Sequence, residues 1–389
     1  MKQIQTIDNI LNDSKSINHI SISLQSILNF KTIIVYGYGN GFFTLDSFVL
    51  EKFNIPISYI FDSEFAENIN TGGGGVNLGL PIKMRLQDFE SRLVNNKEMV
   101  VIISLGDGFT RDNIRIDLQA KGFTNIVNCE EIFEWHLHYT PKLFDASQEL
   151  KLNAKKINCI YTQLGDQKSK DIYLDLIQFY LSQKIRKIKS EPHNKQYIFH
   201  LIKEVDTLFD CGAHQGESYR RLKLHYGKFD KVFLFEPNIT SINILNILKD
   251  NELSSGDEIN IIEFALSDVE NKINYLGLKG TNSSLLETLT PQISGHSVVS
   301  SVKLDNYQTK SERSLLKMDI EGGEIKALRG GLDLIQKMRP YLAISIYHKI
   351  SDLWMIFELL EKFEYKFYLR NYSGYVSETI LYGIPKDNG

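Results

Sequence analysis

The sequence has few cysteines, few prolines, no long apolar run and no excess of positive charge. Its 389 residues include three cysteines and eight prolines. Cys129, Cys159 and Cys211 are widely separated and form no CxxC pair, which argues against a zinc site and favours a reduced compartment. The cysteines are therefore expected to be small buried apolar residues rather than ligands.

The charge balance argues against further classes of protein. The formal net charge is −4 and no block of Lys or Arg occurs, which disfavours tight, salt-sensitive binding to nucleic acid. The first residues, MKQIQTIDNILNDSKS, are too polar for a signal peptide, and no apolar stretch could span a bilayer. We therefore expect a cytoplasmic protein without a membrane span.

The composition, 42% hydrophobic and 24% charged, is that of an ordinary globular protein, and the length predicts two or three domains. The pattern predicts an N-terminal helical segment at 1–30, a Rossmann-like accessory domain at 31–138, a helical linker at 139–200 and a catalytic domain at 201–389. In both larger domains strands alternate with helices, which indicates two doubly wound α/β sheets.

The C-terminal domain is predicted to contain seven strands. Helical stretches are expected between the first five, and a short turn-rich link, NYSGYVS, predicts an antiparallel hairpin for the last two. The predicted strands are 205–210, 231–236, 259–265, 314–319, 341–348, 365–370 and 378–384. The result is a seven-stranded, doubly wound sheet whose last strand is antiparallel.

The first of these strands runs into FDCGAHQG, a turn that points to a nucleotide-like ligand. Ligands of open α/β sheets bind beyond the carboxyl ends of the strands. The spacing from Asp210 through Gly212 to Gly216 is D-x-G-x-x-x-G, unlike the GxGxxG of dinucleotide sites. Glu236, about twenty residues later, could accept both hydrogen bonds of a ribose diol. S-adenosylmethionine suits this set, because backbone amides at Gly212 and Ala213 could meet its carboxylate while Asp210 offsets its amino group.

The stretch LLKMDIEGGEIKALRGG places three carboxylates where the fourth strand should end. Asp319 is the first candidate for a general base or a substrate-orienting group, although an Asp here could also cap the following helix. Glu321 is a further catalytic candidate, whereas Glu324 is expected to favour the helix dipole. His348 ends the fifth strand, and its neutral imidazole could accept a hydroxyl proton.

Other polar groups have less specific interpretations. Asp319, Glu321 and His348 could converge on a divalent ion, but no spacing such as HExxH supports one, and no metal is expected. Arg370 could hold an anionic substrate group or form a surface salt bridge. The link GTNSSLLET (280–288) could recognise a sugar or be a polar loop.

At these residues the chain resembles the FkbM family of S-adenosylmethionine-dependent methyltransferases, over roughly residues 195–385. The resemblance is carried by FDCGAHQG, FEPN, FALSD, GTNSSL, VKLDNY and LLKMDIEGGEIKALRGG. It implies a class I methyltransferase fold and methylation of a hydroxyl, often on a sugar or a secondary metabolite. The cofactor contacts implied are Asp210, Gly212, Ala213, His214, Gly216, Glu236, Pro237, Ala265, Leu266 and Ser267. Related members often carry a histidine where this chain has Asn371.

The N-terminal domain carries a second glycine-rich turn, VYGYGNGFF. Its glycines at 37, 39 and 41 and the strand-ending Asp62 give a Rossmann-like layout, but Phe42 stands at the third glycine position of GxGxxG. This domain resembles accessory modules that bind a nucleotide or a sugar nucleotide; a structural role or homo-oligomer formation stays open. TGGGGV (71–76) is expected to be a flexible loop or a phosphate-contacting one.

The leading hypothesis is an S-adenosylmethionine-dependent O-methyltransferase that acts on a hydroxyl of a carbohydrate, such as a surface polysaccharide or a nucleotide sugar, or on a related metabolite. One alternative is an NAD-dependent oxidoreductase that uses the N-terminal domain, against which the imperfect glycine spacing argues. Another is a sugar-nucleotide-binding protein whose methyltransferase domain is inactive. Asp210, Gly212, Glu236 and Asp319 argue against that alternative, because an inactive site need keep none of them.

Overall fold

A computed structural model describes most of the chain, and several expectations lie outside the described residues. The described residues are 24–37, 57–61, 82–84, 97–104, 108–132, 146–182, 188–252, 256–270, 272–276, 284–285, 296–311 and 313–386. The helical pattern before residue 24, the glycine loop beyond Gly37, Asp62, TGGGGV and most of GTNSSLLET are therefore not described.

The N-terminal region contains a five-stranded parallel sheet in the order β3-β2-β1-β4-β5. Its strands are β1 (Thr32–Tyr36), β2 (Tyr59–Phe61), β3 (Ile82–Met84), β4 (Met99–Ile103) and β5 (Ile126–Asn128). The run MVVII of β4 is buried throughout, with alternate side chains in two apolar clusters on opposite faces, as expected for a parallel strand covered on both sides. The expected parallel sheet is confirmed; a nucleotide-binding role for it stays a prediction.

Three helices follow in the segment expected to be helical, and they pack on the C-terminal sheet. They are α3 (Ala146–Leu152), α4 (Ala154–Gln163) and α5 (Gln167–Ser182); α1 (Leu24–Ile27) and α2 (Gly108–Ala120) precede them. Leu150, Ile157 and Tyr173 are buried in the same core as Phe357, and the Tyr173 hydroxyl donates to the Leu353 carbonyl at 2.7 Å. These helices therefore cover one face of the sheet that carries the candidate site.

The C-terminal region contains the seven-stranded sheet that the sequence predicts. Its order is β15-β16-β14-β13-β6-β7-β8. The strands are β6 (Thr207–Cys211), β7 (Lys231–Phe235), β8 (Glu258–Ile262), β13 (Ser314–Met318), β14 (Tyr341–Ser345), β15 (Tyr365–Asn371) and β16 (Thr379–Pro385). Five strands are parallel, and β16 pairs antiparallel with both β14 and β15. The predicted class I methyltransferase architecture, with its closing hairpin, is confirmed.

Helices flank this sheet on both faces. They are α6 (Glu217–Tyr226), α7 (Ile239–Asn251), α8 (Glu324–Arg329), α9 (Leu332–Met338) and α10 (Asp352–Leu360). Phe209 and Phe233 stack with their ring centroids 5.0 Å apart on one face of the sheet, whereas Leu208 and Val232 belong to a second cluster. Across the described part of the chain, no helix has the length and apolarity that a membrane span requires.

The segment between β8 and β13 differs from the expectation of a helical stretch. Its described residues form a four-stranded sheet in the order β11-β10-β12-β9, followed by a 3-10 turn at Leu304–Tyr307. The strands are β9 (Ala265–Leu266), β10 (Lys272–Leu276), β11 (Ser284–Leu285) and β12 (His296–Val302). The run HSVVSSV contains three valines, and it pairs antiparallel with KINYL, which contains an isoleucine and a tyrosine. Their strand propensity outweighs the regular alternation of strands and helices.

The N-terminal sheet contacts the hairpin of the C-terminal sheet. The side-chain amide of Asn128, at the end of β5, donates to the Tyr375 hydroxyl at 2.6 Å. That hydroxyl donates in turn to Glu131 at 3.1 Å, and Glu131 pairs with Arg115 at 3.0 Å. Because Tyr375 lies in the β15–β16 link, the two sheets meet at the segment that leads to Glu378.

Candidate active site

The loop after β6 is held against the end of β13 by a close backbone contact. Gly212 has φ +83°, and a Cβ atom there would lie 1.9 Å from the carbonyl oxygen of Asp319. The Asp319 amide donates to the Cys211 carbonyl at 3.0 Å. Glycine is therefore required at position 212, because both its dihedral angle and its space exclude a side chain. This contact places Asp319 beside the glycine loop.

The backbone amides of Gly212 and Ala213 are already engaged. Both donate to the carbonyl of Phe235, each at 3.0 Å. The expected contact between these two amides and a ligand carboxylate is therefore not available in this conformation. The loop contributes its close backbone approach at the sheet edge and not these two donors.

Glu236 follows β7 and receives two backbone hydrogen bonds. The amides of His214 and Asn238 donate to its carboxylate at 2.9 and 2.8 Å. Its exposed fraction is 6%, and burial raises its pKa above the usual range despite these hydrogen bonds. Because each carboxylate oxygen accepts a single backbone donor, each keeps capacity for a further hydrogen bond. The side chain of His214 turns toward Glu217, which lies 3.4 Å away.

Asp210 is fully buried and has an internal counterion. Lys317 lies in register with it on the neighbouring strand, with its Nζ 2.9 Å from the carboxylate, and the Ser218 hydroxyl donates at 2.5 Å. Lys317 also donates to the Gly212 carbonyl at 2.7 Å. Lys317 therefore links the Asp210 carboxylate, whose exposed fraction is 0%, to the glycine loop. The charge that it was expected to offer a ligand is balanced by Lys317.

The predicted adenine-contacting segment is buried at the sheet edge. Ala265 and Leu266 form β9, and the Ser267 amide donates to the Val302 carbonyl at 3.1 Å. Pro237 is half-buried next to Glu236. These residues lie at the carboxyl ends of β7 and β8, and their contact with a cofactor stays a prediction.

Asp319 directly follows β13 and is held by two tyrosine hydroxyls. Tyr197 donates to its Oδ2 at 2.7 Å, and Tyr347 reaches its Oδ1 at 3.4 Å. The side chain is 18% exposed. Within the described residues it makes no cap contact to α8; at the start of that helix the Glu324 carboxylate instead accepts a hydrogen bond from the Ile320 amide at 3.0 Å. This environment favours the substrate-facing interpretation of Asp319 over helix capping.

His348 lies among three carboxylates, as the sequence suggested for two of them. Its Nε2 is 3.5 Å from Asp319 Oδ1 and 3.3 Å from Glu321 Oε2, and its Nδ1 is 2.9 Å from Glu324 Oε1. Burial by itself would lower the pKa of His348, but the negative charges of Glu324 and Glu321 outweigh it and hold the pKa well above the usual range. These charges favour the protonated ring, and the role of His348 as a neutral proton acceptor stays a prediction.

Glu321 and Glu378 complete the rim, both in left-handed backbone conformations. Their φ angles are +55°, which is strained for a residue with a long side chain and typical of functional loops. Burial raises the pKa of Glu321, opposed by His348. Burial and the charge of Asp319 raise the pKa of Glu378 to about 7. The Gln196 amide donates to the Glu378 carboxylate.

Two further sequence expectations have structural explanations. Arg370 is 7% exposed, pairs with Asp166 at 2.7 Å and lies over the Phe199 ring. It is therefore engaged in the fold and is not placed to hold an anionic substrate. The Asn371 amide donates to the carbonyls of the link after β15, Ser377 at 3.0 Å among them, and its own oxygen accepts from Gly374. Asn371 thus shapes the turn that carries Glu378.

Four residues at this site were not found from the sequence. They are Tyr197, Lys317, Tyr347 and Glu378. Lys317 had a signal, because it is a lone cation inside the apolar run LLKM that ends in a carboxylate. Tyr347 had a weaker one as the neighbour of His348. Tyr197 and Glu378 come from segments without a motif and reach the site only through the fold.

Comparisons with known proteins agree with this geometry. Residues 210–369 match the family described as Methyltransferase FkbM domain. The FkbM methyltransferase domain is thus identified over residues 210–369. A solved FkbM methyltransferase from Methylobacillus flagellatus KT is similar over 92% of this chain and 90% of its own, with 20% identity and a TM-score of 0.56. That likeness concerns the fold.

Other solved structures cover a smaller share of this chain. A precorrin-6y C5,15-methyltransferase from Geobacter metallireducens GS-15 has a TM-score of 0.28 and 10% identity, over 47% of this chain and 82% of its own. A putative rRNA methylase from Clostridium thermocellum has a TM-score of 0.30 and 16% identity, over 48% and 88%. No curated protein matches the chain significantly in sequence.

Proposed function

We propose that this protein is an S-adenosylmethionine-dependent O-methyltransferase that methylates a hydroxyl of a carbohydrate, such as a surface polysaccharide or a nucleotide sugar, or of a related metabolite, in the cytoplasm. The observation that carries the proposal is the position of Asp319. Its carboxylate is oriented by two tyrosine hydroxyls and lies directly beside the glycine loop of the FkbM domain.

The chemistry of the strand ends fits the cofactor. Glu236 keeps acceptor capacity on both oxygens for the two hydroxyls of a ribose. Carboxylates surround the loop, and they favour a ligand that carries an amino group and a sulfonium over a pyrophosphate. S-adenosylmethionine would thus be held by Glu236, the 212–216 loop and residues 265–267, and when bound it supplies a methyl group on a good leaving group.

The two oxygens of Asp319 have different tasks in this proposal. Oδ2 is held by the short hydrogen bond from Tyr197, whereas Oδ1 has only the longer contacts to Tyr347 and His348. Oδ1 is therefore the oxygen that can accept the hydroxyl of the substrate. With the cofactor bound as methyl donor, Oδ1 would accept the proton of the substrate hydroxyl whose oxygen is methylated.

Alignment and proton removal supply the rate in such a site. Holding the acceptor oxygen in line with the methyl group can be worth effective molarities of about 10⁵ M or more. A positioned base adds roughly 10²- to 10⁴-fold. A sugar-like acceptor suits this lining, because the carboxylates and the tyrosine hydroxyl oxygens, whose protons are donated to Asp319, can accept hydrogen bonds from its hydroxyls.

The first experiment is calorimetric titration of the full-length chain with S-adenosylmethionine, S-adenosylhomocysteine and NAD. We expect the first two to bind, and Glu236→Gln to weaken that binding. Glu258→Gln is the matched control, since Glu258 begins β8 at the opposite edge of the sheet, where it pairs with Lys231. Asp210→Ala is less informative, because it would leave Lys317 buried without its counterion.

Each outcome of that titration decides between hypotheses. Binding of the two adenosyl compounds justifies a screen of hydroxyl-bearing acceptors, with the methylated product detected by mass spectrometry. Binding of NAD alone would overturn the methyltransferase proposal and move the active site to the N-terminal sheet. Absence of all binding would favour an inactive domain.

A further inference from the structure

We propose that Asp319, Glu324 and His348 form a binding site for one divalent cation, with Glu321 as a fourth group on its exposed side. One carboxylate oxygen from each acid and one ring nitrogen of His348 lie within 4.8 Å of one another. Metal–ligand bonds of about 2.0–2.3 Å place ligand atoms roughly 3–4.5 Å apart, so an ion fits after shifts of a few tenths of an ångström.

Unsatisfied buried atoms point into this cluster. Glu324 is completely buried, and its Oε2 makes no hydrogen bond among the described residues. The His348 side chain is 9% exposed. Carboxylate oxygens approach both of its ring nitrogens to 2.9–3.5 Å, yet neither contact has the alignment of a hydrogen bond. Buried polar atoms are normally paired, and an ion that accepts one lone pair from Glu324 and one from a single ring nitrogen of His348 would satisfy one atom of each residue.

The charge of the cluster agrees with a divalent ion. Asp319, Glu321 and Glu324 are three acidic residues close together. Among the described residues, His348 is the cation-forming side chain that contacts all three. A protonated ring balances one of these charges, whereas a divalent cation beside a neutral ring balances two. Three carboxylates at such short range are costly without cations. A set of one imidazole and carboxylates suits a first-row ion such as Mn²⁺.

The proposed cation site is open toward the substrate side. Glu324 lies at its closed end, while Asp319 and Glu321 are 18% and 34% exposed. An ion there would have positions left for oxygen atoms of the acceptor, and it would lower the pKa of a hydroxyl that it binds. This role rests on the proposed function, although occupation of the site does not. Acceptors with two neighbouring oxygens, such as vicinal diols, would suit such an ion.

The test is a titration of the metal-free full-length protein with Mn²⁺, in which free Mn²⁺ is measured by electron paramagnetic resonance. We expect one saturable site per chain. His348→Gln and Asp319→Asn should each weaken it at least about tenfold, while Glu258→Gln, at the opposite edge of the sheet, leaves it unchanged. Circular dichroism checks that each variant is folded; Glu324→Gln is not needed, since that buried position is the most apt to disturb folding.

The outcomes separate this inference from the proposed function. No saturable Mn²⁺ binding, or equal affinity in the wild type and both ligand variants, would overturn the cation site. The calorimetric titration with S-adenosylhomocysteine is performed in the same samples with and without Mn²⁺. If the protein binds S-adenosylhomocysteine but not Mn²⁺, only the cation site is refuted. If it binds Mn²⁺ but not S-adenosylhomocysteine, only the proposed methyltransferase is refuted.

Discussion

Substitution of Gly212 by alanine tests the contact that joins the glycine loop to Asp319. A methyl group at this position would lie 1.9 Å from the Asp319 carbonyl oxygen, where ordinary contacts begin at about 3.4 Å. The loop and the end of β13 must therefore separate by more than an ångström. The same separation stretches the hydrogen bond from the Asp319 amide to the Cys211 carbonyl, now 3.0 Å long.

The expected loss of stability can be divided into two contributions. A left-handed backbone with a Cβ atom costs about 1–2 kcal/mol. Breaking the buried backbone hydrogen bond to Cys211 adds about 1–3 kcal/mol. The free energy of unfolding of Gly212→Ala should thus fall by roughly 2–5 kcal/mol, a large part of the 5–15 kcal/mol typical of a folded protein.

Gly227→Ala is the matched control for this prediction. Gly227 also has a positive φ, +85°, with ψ −143°, but a Cβ atom there meets nothing within 4 Å. This variant should lose only the conformational contribution, about 1–3 kcal/mol. A larger loss in Gly212→Ala, together with loss of ligand binding, therefore reports the close contact with Asp319 and the hydrogen bond that the contact accompanies.

The assay is urea denaturation followed by the fluorescence of Trp354, in a Trp135→Phe background so that only the C-terminal sheet is observed. Trp354 is buried in the core of that sheet. Calorimetric affinity for S-adenosylhomocysteine provides a second reading, which should be lost in Gly212→Ala and kept in Gly227→Ala. Equal destabilisation in the two variants would refute the close approach of the loop to Asp319.

Three other perturbations test the site and its supports. Asp319→Asn keeps the shape of the side chain but removes the proton acceptor, so the methylation rate of an acceptor found by screening should fall roughly 10²- to 10⁴-fold with cofactor affinity kept. Burial by itself would raise the pKa of Asp166, but hydrogen bonds from Arg370 and Ser169 lower it from 3.8 to about 2. The Asp166–Arg370 pair therefore stabilises the fold above about pH 4, and this stabilisation is lost as the pH falls through the lowered pKa. The unfolding free energies of the wild type and Asp166→Asn should thus converge as the pH falls toward 2. Tyr375→Phe removes the hydroxyl bonded to Asn128 and Glu131, so amide hydrogen exchange in residues 372–378 should accelerate, and unchanged exchange would contradict the inter-sheet contact.

Most of the C-terminal fold could be predicted because its signals are local. The apolar runs lead into turns or strand-end carboxylates, and the short NYSGYVS link fixes the closing hairpin. The segment between β8 and β13 could not be predicted in the same way. Its strands are short and pair with one another across many residues, so the decisive interactions are not neighbours in sequence.

The residues of the candidate active site also divide into those that the sequence predicts and those that it does not. Asp319, Glu321 and His348 could be expected to meet because the carboxyl ends of adjacent parallel strands share one edge of a sheet. In the structure the His348 ring lies 3.5 Å from Asp319 and 3.3 Å from Glu321. Tyr197 lies ahead of β6 and Glu378 behind the hairpin. No spacing rule links such positions to Asp319, and only tertiary packing brings them together.

Two acidic residues near neighbouring strand ends, Asp210 and Asp319, lie in different environments. Strands β6 and β13 are in register, so Lys317 lies opposite Asp210 and neutralises it inside the sheet. Two residues further along, Asp319 has passed the end of the strand and is bound by tyrosine hydroxyls instead of a cation. Environments that differ in this way assign different tasks to chemically similar groups. In the proposed function, the order Lys-Met-Asp at 317–319 therefore combines a support with a reactive group: Lys317 neutralises Asp210 and binds the Gly212 carbonyl, which leaves Asp319 to accept the substrate hydroxyl.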